Sequence, residues 1–121
     1  MTIRSLSAIT LAVSDMARSV TFYRTLGFEL FAGDERSSFV TFRAGPKSFL
    51  NLQLDPAHAP VQKIWGRVIF WVDDVDATHR RAVTAGYTPD MAPSDAPWGE
   101  RYFHLHDPDG HELSIAKPLA E

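Results

Sequence analysis

The stretch Tyr102–Pro118, YFHLHDPDGHELSIAKP, sets His104, His106 and His111 beside Asp107, Asp109 and Glu112. Imidazoles and carboxylates are the usual ligands of divalent transition metals, and they are also general acids and bases. A stable metal site wants three or four of them converging. Along a strand, Tyr102, His104 and His106 share one face, and Glu112 and Ser114 share another. The stretch therefore reads as a metal site or as a histidine-rich hairpin. Its centre, DPDG, is a proline-led turn with Gly110 where positive φ is needed.

The chain has 121 residues, 45% of them hydrophobic, which suits one ordinary core and predicts a single domain over 1–121. The net charge of −3 and the lack of any Lys/Arg run predict no nucleic-acid partner. With no cysteine, disulfides and thiolate metal sites are excluded, which is compatible with a cytoplasmic location. In MTIRSLSAITLAV, Ile9, Leu11 and Val13 alternate as in a strand and not as in a signal peptide. No apolar run approaches the roughly 18 residues of a membrane span, so no membrane association is expected.

The sequence repeats. Ser7–Phe28 aligns without a gap on Gly66–Tyr87, at a spacing of 59 residues (66 minus 7). Ile9, Leu11 and Val13 fall on Val68, Phe70 and Val72, and Gly27 falls on Gly86. Each copy begins with an alternating strand that runs into a helix. Ser14 and Asp73 are the expected N-caps, with Asp15 and Asp74 in the first turn. Met16, Val20, Tyr23 and Leu26 form one apolar helical face; Val75, His79, Ala82 and Ala85 form the other. Further strands are expected over 29–32, 38–43, 49–54, 102–106 and 111–116. The stretch PDMAPSDAPWGE is loop-like and hides the remaining strand. The fold class is therefore α+β, with two tandem βαβββ modules, one over about 1–58 and one over about 59–121. A module with one helix leaves its other sheet face bare, so two copies should curve into a half-barrel around a cleft.

LAVSDMARSVTFYRTLGFEL, FWVDDVDATHRRAVTAGY and DPDGHEL resemble the vicinal oxygen chelate superfamily. Its members include glyoxalase I, extradiol dioxygenases, and fosfomycin and bleomycin resistance proteins. The resemblance implies the fold just described and a homodimer. In the metalloenzymes, His and Glu ligands come from the first and last strand of each module. Their places correspond here to Ala8, Arg67, Gln53 and Ser114, none of which is a good metal ligand, and Arg67 repels a cation. The resemblance also turns both faces of the 102–118 hairpin into the cleft, with a bulge at the glycine, so that His104 and Glu112 can meet. Two donors fall short, and we expect no metal and no cofactor.

Alternation places Thr10, Phe49, Asn51, Gln53, Arg67, Ile69 and Trp71 on the cleft side, joined by Tyr102, His104, Glu112 and Ser114. Trp98 is a candidate lid, and Trp65 packs at the module junction. His58 and His79 read as structural. Arg67 either binds an anionic group, which argues against a cationic ligand, or pairs with Glu112. Glu100 and Arg101 read as solvated. The expected function is metal-independent binding of an aromatic or polycyclic small molecule, as in bleomycin resistance proteins. The alternative is a lyase or dioxygenase of the same superfamily, or a metal-free catalyst using His104, Glu112 or Tyr102.

Overall fold

The computed structural model describes residues 2–120. The outermost module bounds, residues 1 and 121, lie outside the described residues. The elements in order are β1 (Ala8–Val13), α1 (Met16–Leu26), β2 (Glu29–Ala32), β3 (Phe39–Arg43), β4 (Phe49–Leu54), β5 (Val68–Trp71), α2 (Val75–Thr84), β6 (Ser94–Asp95), β7 (Glu100–His106) and β8 (Glu112–Pro118). Among the described residues they form two four-stranded sheets, ordered β1-β4-β3-β2 and β5-β8-β7-β6. The first strand of each module pairs parallel with its last, and the other pairs are antiparallel. The fold is thus α+β with a duplicated βαβββ unit, and its sheets do not close into a barrel.

Alternation accounts for the burial. Val40, Phe42, Leu50 and Leu52 are wholly buried in module one, as are Phe103, Leu113 and Ile115 in module two. They join Met16, Val20, Tyr23 and Leu26 of α1 and Val75 and Ala82 of α2 in a single apolar cluster. At the boundary between modules, Phe28 meets Phe70 edge-on at 4.8 Å, and Phe22 meets Tyr87 at 4.9 Å. Arg81 of α2 donates to Leu26 O at 3.1 Å, satisfying a carbonyl at the end of α1 that no helical N–H reaches.

Three expectations change. The N-caps lie one residue later than expected. Asp15 accepts from Arg18 N at 3.1 Å and Asp74 from Ala77 N at 2.9 Å. Ser14 is diverted, because its hydroxyl donates to Asp109, 95 residues on, at 2.6 Å. The concealed strand is β6, two residues paired with Tyr102 and Arg101, too short to show any period. No bulge is required in the 102–118 hairpin, since His104 lies directly opposite Ser114 and His106 opposite Glu112.

The DPDG turn belongs to the seam between modules. Asp107 and Asp109 are only 4% and 1% exposed. Tyr23 Oη donates to Asp107 Oδ2 at 2.7 Å, and Arg18 reaches Asp109 Oδ1 at 3.3 Å. His111 is fully engaged as well. The Trp65 indole N–H, which can only donate, points at His111 Nδ1 at 3.1 Å. His111 Nε2 therefore carries the proton and donates to Ala12 O at 2.8 Å. One of the three hairpin histidines is thus a structural tie.

Candidate functional site

The sheet faces turned away from the helices carry the chemistry. On module two this face gathers Arg67, Ile69 and Trp71 from β5 and its approach, Glu112 and Ser114 from β8, and Glu100, Tyr102, His104 and His106 from β7. Arg67 donates through Nε and Nη2 to Glu112 Oε2 at 3.0 and 2.8 Å. Its charge is therefore met within the face. His104 Nδ1 lies 3.8 Å from Glu112 Oε1. Burial, and then the Arg67 guanidinium, hold the His104 pKa below its ordinary value, and Glu112 only partly opposes them. At neutral pH this contact joins a neutral ring to a carboxylate and is not an ion pair.

Beyond His104 the face becomes aromatic. Tyr102 lies 5.1 Å from His104 and 5.4 Å from Trp98, ring centre to ring centre. Trp71 and Trp98 are 69% and 65% exposed, and Ile69 is 56% exposed. The expected aromatic cavity is thus an open tray. The reason is local: β6 has two residues, so module two has little sheet beyond β7 to wall it.

Glu100 organises this tray. Its Oε2 accepts from Trp71 Nε1 at 2.8 Å and its Oε1 from Trp98 Nε1 at 2.9 Å. Sequence reasoning leaves Glu100 solvated, because one of its partners lies 29 residues away on another strand. Arg101 is likewise engaged, with Asp76 at 2.8 Å and Asp95 at 2.9 Å. The Arg101 hydrogen bonds hold the Asp76 carboxyl below its usual range.

Module one's face is built differently. Thr41 donates to Asn51 Oδ1 at 2.8 Å, and Asn51 Nδ2 donates to Thr10 at 3.2 Å. This polar ladder crosses three strands and uses both ends of the Asn51 amide. Phe49 lies 5.3 Å from Phe31, whose ring carries the Arg43 guanidinium at 4.4 Å. Gln53 is exposed on β4. A shallow cavity of about 140 Å³ at the seam brings Ala8 and Phe49 against Ile69, so the two faces adjoin there. Thr10, Asn51 and Gln53 do not join the indole tray.

One cluster escaped sequence reasoning. Asp90, His106 and Glu112 each offer a ligand atom within 4.8 Å of the others. Asp90 lies in the loop-like stretch, and it pairs with His106 Nδ1 at 2.9 Å. The donor set does not fit a divalent ion well, because Glu112 already accepts two N–H groups of the Arg67 cation.

Two helix-backed βαβββ sheets, each with an open face, define a protein of the paired-module α+β class. The family model of the glyoxalase/bleomycin resistance protein/dioxygenase superfamily matches residues 5–115, and the chain belongs to that superfamily. A member of this superfamily from Sphaerobacter thermophilus is 26% identical, with a TM-score of 0.75 over 97% of this chain and 99% of that one. TioX from Micromonospora sp. ML1 is also 26% identical, with a TM-score of 0.74 over 96% of this chain and 100% of that one. A bleomycin-binding protein solved with bleomycin shares the fold, at 23% identity and a TM-score of 0.70 over 95% of this chain and 98% of that one. An uncharacterized protein of Mycobacterium bovis is 46% identical over 50 residues, which span 41% of this chain and 33% of that protein. Ala8, Arg67, Gln53 and Ser114 are the positions that the sequence resemblance equates with metal ligands. In the structure Arg67 fills its place with a guanidinium, and Ser114 lies 4% exposed opposite His104. These residues do not fit a divalent ion.

Proposed function

We propose that this protein binds a small organic molecule with a flat aromatic part on the open face of module two, without a metal. The observation that carries the reading is the aromatic row of the exposed Trp71 and Trp98 with the half-buried Tyr102. Large aromatics left in water are energetically unfavourable unless something covers them, and flat rings present a stacking surface. The donor set at Ala8, Arg67, Gln53 and Ser114 supports the metal-free part. The bleomycin-bound relative supports the fold's capacity for such ligands; the ligand class here rests on the residues.

A planar aromatic ligand should quench tryptophan fluorescence. Trp71→Ala should weaken its binding by roughly 1–3 kcal/mol, the range for losing one stacking partner. Trp71 is exposed, so the variant should fold. If Trp71→Ala binds the ligand as tightly as the native chain, the reading fails.

A second reading is metal-free acid–base catalysis centred on His104. It is favoured by the 3.8 Å approach to Glu112 and by the lowered His104 pKa, which keeps the ring a proton acceptor at neutral pH. Turnover lost in His104→Ala while ligand affinity is retained would single out this reading.

A further inference from the structure

We infer that the tray of module two selects organic ammonium cations, held between Trp71, Trp98 and Tyr102 over the Glu100 carboxylate. This rests on the small-molecule reading above and names the chemistry of its ligand.

The geometry begins at Glu100. Each of its oxygens is held by an indole N–H, at 2.8 Å from Trp71 and 2.9 Å from Trp98. Both anchors are neutral groups, so they fix the carboxylate in position without cancelling its charge. Neighbouring guanidinium groups are directed elsewhere. Arg101 binds Asp76 and Asp95, and Arg67 binds Glu112. The same hydrogen bonds pin the polar edges of two indoles that are otherwise 69% and 65% exposed. Pinning an exposed tryptophan costs side-chain freedom, and neither ring contributes to the core. What the arrangement presents to solvent is a set of oriented ring faces beside one negative charge. Tyr102 extends the set, tilted 41° against Trp98.

An aromatic face attracts a cation through its quadrupole, and indole does so best. A carboxylate beside it adds direct charge attraction. Alkylated ammonium groups match both, because they are large, weakly hydrated and able to lie against a ring. A bare metal ion does not match, since one carboxylate whose oxygens already accept indole protons supplies too few ligands. Arg67 does not turn such a cation away, because Glu112 meets its charge on the face itself. The net charge of −3 points the same way.

The test uses two probes of one shape: a phenyl ring bearing a trimethylammonium group, and its neutral tert-butyl isostere. Both are titrated into the full chain by tryptophan fluorescence and by calorimetry, at low and high salt. The ammonium probe should bind about tenfold more tightly than the neutral one at low salt, and the advantage should shrink as salt screens the carboxylate. In Glu100→Gln the preference should fall to within about twofold, while Trp71→Ala should weaken both probes. The ratio of the two probes is read within each variant, so any unfolded fraction cancels. If the probes bind equally well to the native chain, cation selection is wrong while the small-molecule reading stands. If neither probe binds, both readings fall.

Discussion

Asp107 illustrates how far a residue's role can lie from its appearance in the sequence. It begins a DPDG turn, a place where carboxylates normally face water. Here burial pushes its pKa up, opposed by the Tyr23 hydroxyl and the backbone N–H groups of His111 and Asp109. Burial, reinforced by the charge of Asp107, also holds the Tyr23 phenol well above its ordinary value. Both folded pKa values are raised, so the sign is the same for both groups. Their stabilising share is fully present below the unfolded pKa and is lost as pH rises through the folded one. Removing the hydroxyl leaves the Asp107 charge short of a donor and raises its pKa further. Tyr23→Phe should therefore cost about 1–3 kcal/mol at pH 7, the range for a buried acceptor left unpaired. The cost should shrink on acidification, as Asp107 takes up a proton more readily in the variant. Urea melts at pH 7 and pH 4.5 measure the difference, and an equal penalty at both would show that the phenol does not stabilise a carboxylate. None of this is legible in one sequence, because Tyr23 and Asp107 lie 84 positions apart.

The hairpin as an element makes a sharper claim. Gly110 has φ of +89°, and a Cβ there would lie 2.6 Å from Val61 O and 2.9 Å from Val61 N. Gly86, after α2, has φ of +95° with nothing within 4 Å. Alanine at Gly86 should cost only the backbone penalty of a left-handed residue, about 1–2 kcal/mol. Alanine at Gly110 should cost distinctly more, because the linker at Val61 must also move. Equal losses by thermal or urea melts would mean that the linker yields freely. Period and turn chemistry revealed both helices and every strand but one, down to the four-residue β2 and β5. The two-residue β6 shows no alternation, and it exists only because β7 offers partners. The N-cap of α1 lies one position past Ser14 for a tertiary reason, since the Ser14 hydroxyl is claimed by Asp109. The candidate site divided along the same line. Strand alternation placed Trp71, Tyr102 and His104 on one face. It could not show that Glu100 ties Trp71 to Trp98, or that Asp90 reaches His106.

At the scale of the whole molecule, the open faces remain to be covered. Phe31, Phe39 and Ile69 are 52%, 45% and 56% exposed, in addition to the two tray tryptophans. Sheet edges are the usual route to self-association, but the outer edges here are poor templates. The β2 edge carries a register shift between Leu30 and Ala32, and β6 has only two residues. A second copy therefore gains more by covering faces than by extending a sheet. A closed, symmetric pairing does so twice with one set of contacts. We propose a homodimer in which Phe39 of each copy is covered by its partner. Light scattering at micromolar concentration should give twice the 13.5 kDa chain mass. Phe39→Glu should halve that mass and leave the circular dichroism unchanged, because the ring lies outside the buried core. If the partner also walls the tray, the same variant should weaken ligand binding although Phe39 touches neither Trp71 nor Glu100. A native chain that scatters as a single copy would remove the dimer and leave the tray open to solvent on its own.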